Sequence, residues 1–248
     1  MTVIIFCGPT IGPDDAQAYL HADYRPPAAQ GDVMAAVASQ PRAIGIIDGY
    51  FQLTPSVLHK EILWALHHGI HVFGSSSMGA LRAAELQGFG MIGIGRIFEG
   101  YRDGRLTRDD EVALNHGPAE LGYPALSQPL VNIRATLAAA VQQNIVLQAT
   151  ADKLLDLMDQ SYFSNRSYRQ MIDLGHDAGL EAEDLSALEA WMEHGAVDLK
   201  KKDAIEMLTY ISSFLASDPE RFVPKFHLER TSIFDQTHQL GSLTDRAK

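Results

Sequence analysis

Three short apolar runs punctuate the first third of the chain. Val3–Cys7, Ala43–Ile47 and Ile70–Phe73 are rich in β-branched residues, and each closes on a turn signal: Gly8-Pro9, Asp48-Gly49 and Gly74. Runs of this length without alternation predict strands buried on both faces. Between them lie stretches with helical spacing: Pro13–Leu20, Val33–Ser39, Ser56–His68 and Met78–Gln87. Thr54-Pro55 predicts a helix start, a capping threonine followed by proline at the first helical position. In the helix it opens, Val57, Leu58, Ile62, Leu63, Ala65 and Leu66 form one face and Gly69 is the stop. Tyr24–Asp32 holds Pro26, Pro27 and Gly31 and predicts a loop. Strands alternating with helices predict βαβ units and a mainly parallel sheet.

Beyond about residue 100 the strand pattern fades. Pro129–Leu147, Ala151–Gln160, Arg166–Leu174, Glu183–His194 and Lys200–Ser217 have helical spacing. The expected class is therefore α/β: an N-terminal, mainly parallel sheet followed by a helical C-terminal half. The expected division is an α/β core over 1–128 carrying the candidate site, a helical region over 129–239 packed on it and suited to partner docking, and a loose polar tail over 240–248. No internal repeat or low-complexity tract is present.

Composition narrows the function classes. The 248 residues are 46% hydrophobic and 21% charged, enough to bury a core. The formal net charge of -11 lacks the basic footprint of a nucleic-acid binder. With one cysteine, Cys7, no disulfide can form within the chain, which fits a cytoplasmic protein, and thiolate-rich zinc sites are excluded. The start lacks a basic leader, and no apolar stretch approaches the roughly 18 residues of a membrane helix. Neither a signal peptide nor a membrane span is expected. Neither G-x-G-x-x-G nor a P-loop pattern occurs, and no cofactor or metal site is expected.

The candidate chemistry gathers where strands end, since parallel sheets bind ligands at their carboxyl ends. Three such ends are Cys7–Thr10, Asp48–Tyr50 and Gly74–Ser77. The last continues Ser75-Ser76-Ser77-Met78-Gly79, an S-x-S-x-G that resembles G-x-S-x-G with its first glycine replaced. In this reading Ser77 is exposed among tiny neighbours. The Met78 N–H at the helix start stabilises an oxyanion, and Gly8 or a neighbour supplies a second donor. A plain turn with a helix cap explains the same string. Lys60, in the second turn of the preceding helix, faces the same rim and can act as base if its pKa is lowered by burial; a solvated lysine is the alternative. Asp48 can orient Lys60, bind a ligand, or simply form a turn with Gly49. His67 and His68 fall at the wrong rim, and His71 packs within a strand. Asp109-Asp110-Glu111 is expected to be solvated or at a helix start, and Lys200–Lys202 to be an exposed helix start or a partner contact.

Several strings resemble the TfuA-like family: Gly8-Pro9-Thr10, 26–32 (PPAAQGD), 45–51 (GIIDGYF), 59–63 (HKEIL), 77–85 (SMGALRAAE) and 109–113 (DDEVA). The resemblance covers roughly residues 3–135. It implies a partner of YcaO enzymes in peptide backbone thioamidation, as in ribosomal natural-product biosynthesis. The family is understood to release sulfide from a thiocarboxylated ThiS-like carrier protein and to help YcaO engage its substrate. It implies a hydrolase-like Ser–Lys pair, at Ser77 and Lys60 here; the strand-end reading above adds Gly8, Asp48, Met78 and Gly79 as the expected oxyanion or substrate-tail contacts. The competing reading is a non-catalytic anion- or nucleotide-binding or scaffold module for a peptide-modifying enzyme.

Overall fold

The apolar runs do become the centre of a sheet. A computed structural model describes residues 2–51 and 54–229, so the expected tail over 240–248 lies outside the described residues. The strands are β1 (Val3–Phe6), β2 (Asp23–Arg25), β3 (Ala43–Ile46), β4 (His71–Ser75) and β5 (Ile92–Ile94). Strands β1, β3 and β4 are buried at every position, as strands covered on both faces must be. The order is β2-β1-β3-β4-β5 with every pairing parallel. Phe6, Ile46, Gly74 and Gly93 lie in one row across the sheet and mark where its carboxyl ends begin.

The two edge strands depart from the expectation. Tyr24 belongs to β2 rather than to a loop, and β5 was not foreseen. Each has three residues and is only partly buried, so neither shows a continuous apolar run.

The chain gathers into two compact units, Met1–Thr107 with Lys201–Lys248, and Arg108–Lys200. The sheet unit holds α1 (Pro13–Ala16), α2 (Asp32–Val37), α3 (His59–His67), α4 (Met78–Leu86) and α5 (Arg96–Arg102). Thr54-Pro55 does not open α3. Ser56 instead bridges Ala29, and the Pro55 carbonyl accepts from the Gln30 N–H. The helix starts at His59, where Glu61 reaches back to the Leu58 N–H at 3.1 Å. The last helix, α10 (Leu199–Ala216), returns to the sheet. Its Ala204, Met207, Leu208 and Ile211 share one core with Val3, Ile5, Ala43 and Phe73.

The second unit has its own core. Helices α6 (Leu130–Gln142), α7 (Gln148–Gln160), α8 (Tyr168–Asp177) and α9 (Ala182–Gly195) bury Leu137, Leu154, Met171 and Leu188 together. Helix α6 ends before the expected Leu147, because Asn144 turns the chain at a left-handed φ of 58°. Both charged clusters lie at helical starts, one of the positions expected for each, and each also buries a side chain. Asp109–Glu111 is a 3₁₀ turn whose buried Glu111 accepts from Arg134, and Asp110 pairs at 2.7 Å with the fully buried Arg166. Lys200 is buried, donating to the Val112 carbonyl at 3.0 Å. Among the described residues no helix is long and apolar enough to cross a membrane.

Candidate active site

In the strand order 2-1-3-4-5, the connections that leave β1 and β3 run in opposite directions, and ligands favour the carboxyl ends at that switch point. Here the loop after β1 is tied to the end of β3 by one side chain. Asp48 Oδ2 accepts from the Gly8 and Thr10 N–H groups at 2.9 and 3.0 Å, and Oδ1 from the Thr10 hydroxyl at 2.6 Å. Asp48 is 1% exposed, so these bonds replace the water a buried carboxylate loses. The Gly8 N–H is thus engaged with Asp48. Cys7 lies beside this clamp. Burial, and then the Asp48 charge, pushes its thiol up to about 12, so it is not a thiolate at neutral pH.

The neighbouring strand end carries the serine turn. The Ser77 N–H donates to the Ser75 carbonyl at 2.8 Å, with Ser76 between them at φ 68°. This is a three-residue γ-turn of the rare, strained hand. A non-glycine residue in the left-handed region costs about 1–2 kcal/mol. The three hydroxyls differ in environment. Ser75 Oγ donates to the Asp203 carbonyl at 2.9 Å. Ser76 Oγ is buried without a hydrogen-bond partner, a cost of about 1–3 kcal/mol. Ser77 occupies the cap of α4 with φ −114°, its side chain makes no capping bond, and at 3% exposed it is buried rather than exposed as expected, because α4 packs its first turn against the strand ends.

Two glycines let α4 lie this close to the sheet. A Cβ on Gly79 would meet the Ile46 carbonyl oxygen at 1.7 Å, and one on Gly74 would meet the Gly79 carbonyl oxygen at 2.1 Å. The end of β3 also approaches α4, since a Cβ on Gly49 would lie 2.8 Å from Met78 Cγ. The structure therefore gathers Gly8, Asp48, Ser77, Met78 and Gly79 around adjoining strand ends. As the first residue of α4, Met78 presents an N–H with no acceptor inside the helix.

Lys60 is half-buried and, because α3 starts late, lies in that helix's first turn rather than its second. The head of α3 is held to α4 by side chains. Arg82 donates to the Val57 carbonyl at 3.1 Å and to Glu85 at 2.7 Å, and His59 Nε2 meets Glu85 at 2.7 Å. His71 packs within β4, with Nε2 2.8 Å from the Glu220 carbonyl oxygen. Among the described residues no cluster of His, Cys, Asp or Glu could hold a metal ion.

Three further residues hold the strand ends and loops in place, in roles the sequence pattern does not assign them. Thr10 completes the Asp48 clamp. Glu61, 0% exposed, accepts from the Gly31 N–H at 2.8 Å and so fixes the loop before α2; burial raises its carboxyl pKa, against the lowering effect of its N–H donors. Asp203 accepts from the Ile97 N–H at 2.7 Å and heads α5, which has no cap of its own; burial raises its pKa to about 6. Glu61 three residues after Leu58 was readable as a helix-start signal. Asp203 gave none, because its partners lie more than 100 residues away.

Residues 48–167 match the model of a family described as TfuA-like protein. The matched span begins at Asp48 and contains Lys60 and the whole serine turn, while Gly8 precedes it. No curated protein matches the chain.

Proposed function

The chain is TfuA-like over residues 48–167, and from that premise we propose that it releases sulfide from a thiocarboxylated ThiS-like carrier protein for a YcaO enzyme. The family itself implies a partner role beside a YcaO-type enzyme in thioamidation. The hydrolytic step is what we add to that role. One observation carries it: inside the matched span, a strand enters a helix through a strained turn of three serines. Strained backbone of this kind clusters at active sites.

In this reading a hydroxyl of the turn attacks the carrier's terminal acyl carbon. Ser77 is the hydroxyl the resemblance put forward, and Lys60 is the base. The Met78 N–H faces the developing oxyanion. Asp48 holds the β1 loop, and the absence of side chains at Gly74 and Gly79 keeps the helix head against the strands. The acyl–sulfur bond breaks, sulfide leaves, and water frees the carrier as a carboxylate. The helical unit docks YcaO.

The test is sulfide release from a thiocarboxylated carrier by wild type, by the double variant Ser76→Ala/Ser77→Ala, and by Lys60→Ala. The reading predicts that both variants lose turnover while retaining carrier binding. Turnover equal to wild type in the double variant contradicts it.

A further inference from the structure

We infer that Ser76, rather than Ser77, supplies the attacking hydroxyl, an assignment that rests on the hydrolytic reading above. The three hydroxyls of the turn are used differently in the folded protein. Ser75 Oγ is spent on the Asp203 carbonyl. Ser77 sits in the cap position with ordinary negative φ. Ser76 stands at the apex of the γ-turn with φ 68°, a conformation that glycine fills more cheaply. Its side chain is 0% exposed, and its hydroxyl has no partner. Two energetic costs thus fall on one residue, and neither is offset within the folded protein. Packing would be served by alanine, and the turn by glycine. A buried polar group left unsatisfied calls for an explanation outside folding.

Spacing agrees with this choice. Gly74 stands two residues before Ser76, so Gly74-Ser75-Ser76 reproduces the first half of G-x-S-x-G without substitution. The second half differs: Met78 occupies the final position, and the glycine that contacts the strand is Gly79. The sequence alone favoured Ser77 because it was counted back from Gly79. The turn geometry counts forward from Gly74.

The step balances without an added reagent. Ser76 Oγ bonds to the acyl carbon, the carbon–sulfur bond breaks, and the hydroxyl proton passes through Lys60 to the departing sulfur, which leaves as hydrosulfide. Water then hydrolyses the Ser76 ester, giving a carboxylate and the free hydroxyl.

The experiment treats wild type, Ser76→Gly and Ser77→Ala with a fluorophosphonate. The adduct is placed by fragmentation of the peptide containing both serines, and sulfide release and melting temperature are measured alongside. The expected adduct lies on Ser76 in wild type and in Ser77→Ala. Ser76→Gly is expected to lose the adduct and at least about 100-fold of sulfide release, with an unchanged or higher melting temperature. An adduct on Ser77, or a Ser76→Gly variant active within a few-fold of wild type while Ser77→Ala is dead, overturns the assignment and leaves the hydrolytic reading intact. Full sulfide release in both variants, with no adduct on either serine, overturns both.

Discussion

At the scale of single residues, the site rests on a few side chains with unequal roles. Asp48 holds three hydrogen bonds between the first and third strand ends. Asp48→Ala leaves two buried N–H groups without this acceptor and should lower unfolding free energy by about 3 kcal/mol, measured by urea denaturation. A loss under about 0.5 kcal/mol contradicts the clamp. In the proposed mechanism Lys60 is the base that takes up the hydroxyl proton. Lys60→Arg should therefore be as impaired in sulfide release as Lys60→Ala, because a guanidinium does not give up its proton. Restored turnover in the arginine variant would assign the position to charge rather than proton transfer. The sequence named Asp48 and Lys60 through their places near strand ends. It could not reveal that Asp48 is committed to Gly8 and Thr10, because a carboxylate's partners depend on loop geometry and leave no local pattern.

At the scale of elements, the strand–turn–helix is held by close backbone approach. Gly79→Ala would place a methyl 1.7 Å from the Ile46 carbonyl oxygen, so α4 must move off the sheet. Soluble expression and melting temperature should both fall sharply, and a variant as stable as wild type contradicts the packing. Helix α10 is locked to α5 by Asp203, whose carboxyl burial raises to about 6. The folded state thus holds this proton more tightly than an unfolded chain with an ordinary aspartate pKa of about 3.9. The stability it contributes is complete below about pH 4 and is lost as pH rises through 6, a change of up to about 3 kcal/mol. Relative to Asp203→Asn, wild type should lose melting temperature between pH 4 and 7; a pH-independent difference contradicts the assignment. The inner strands were legible because they are buried end to end. The edge strands β2 and β5 and the return of α10 to the sheet were not, because each is set by tertiary neighbours rather than by periodicity.

At the scale of the whole molecule, charge is unevenly shared. The unit Arg108–Lys200 carries 15 of the 31 acidic residues but 6 of the 20 lysines and arginines. Its apolar cluster draws only on residues between Leu130 and Met192. A fragment spanning 108–200 should keep a helical circular-dichroism spectrum and melt cooperatively; a non-cooperative melt contradicts an independent core. If this unit docks YcaO as proposed, its acidity favours a basic face on that enzyme, and the fragment's affinity should fall as salt is raised from 0.05 to about 0.5 M. The α/β class was readable from the alternation of buried runs and helical spacing. The boundary between units was not, because α10 follows the helical unit in sequence yet completes the core of the sheet. The central claim is that the serine turn frees sulfide from a carrier. Its most direct measurement is sulfide released from a thiocarboxylated ThiS-like protein, comparing wild type with Ser76→Ala/Ser77→Ala at equal carrier binding. The account predicts turnover for wild type and a loss of at least about 100-fold for the double variant. Equal release by the two proteins would contradict it.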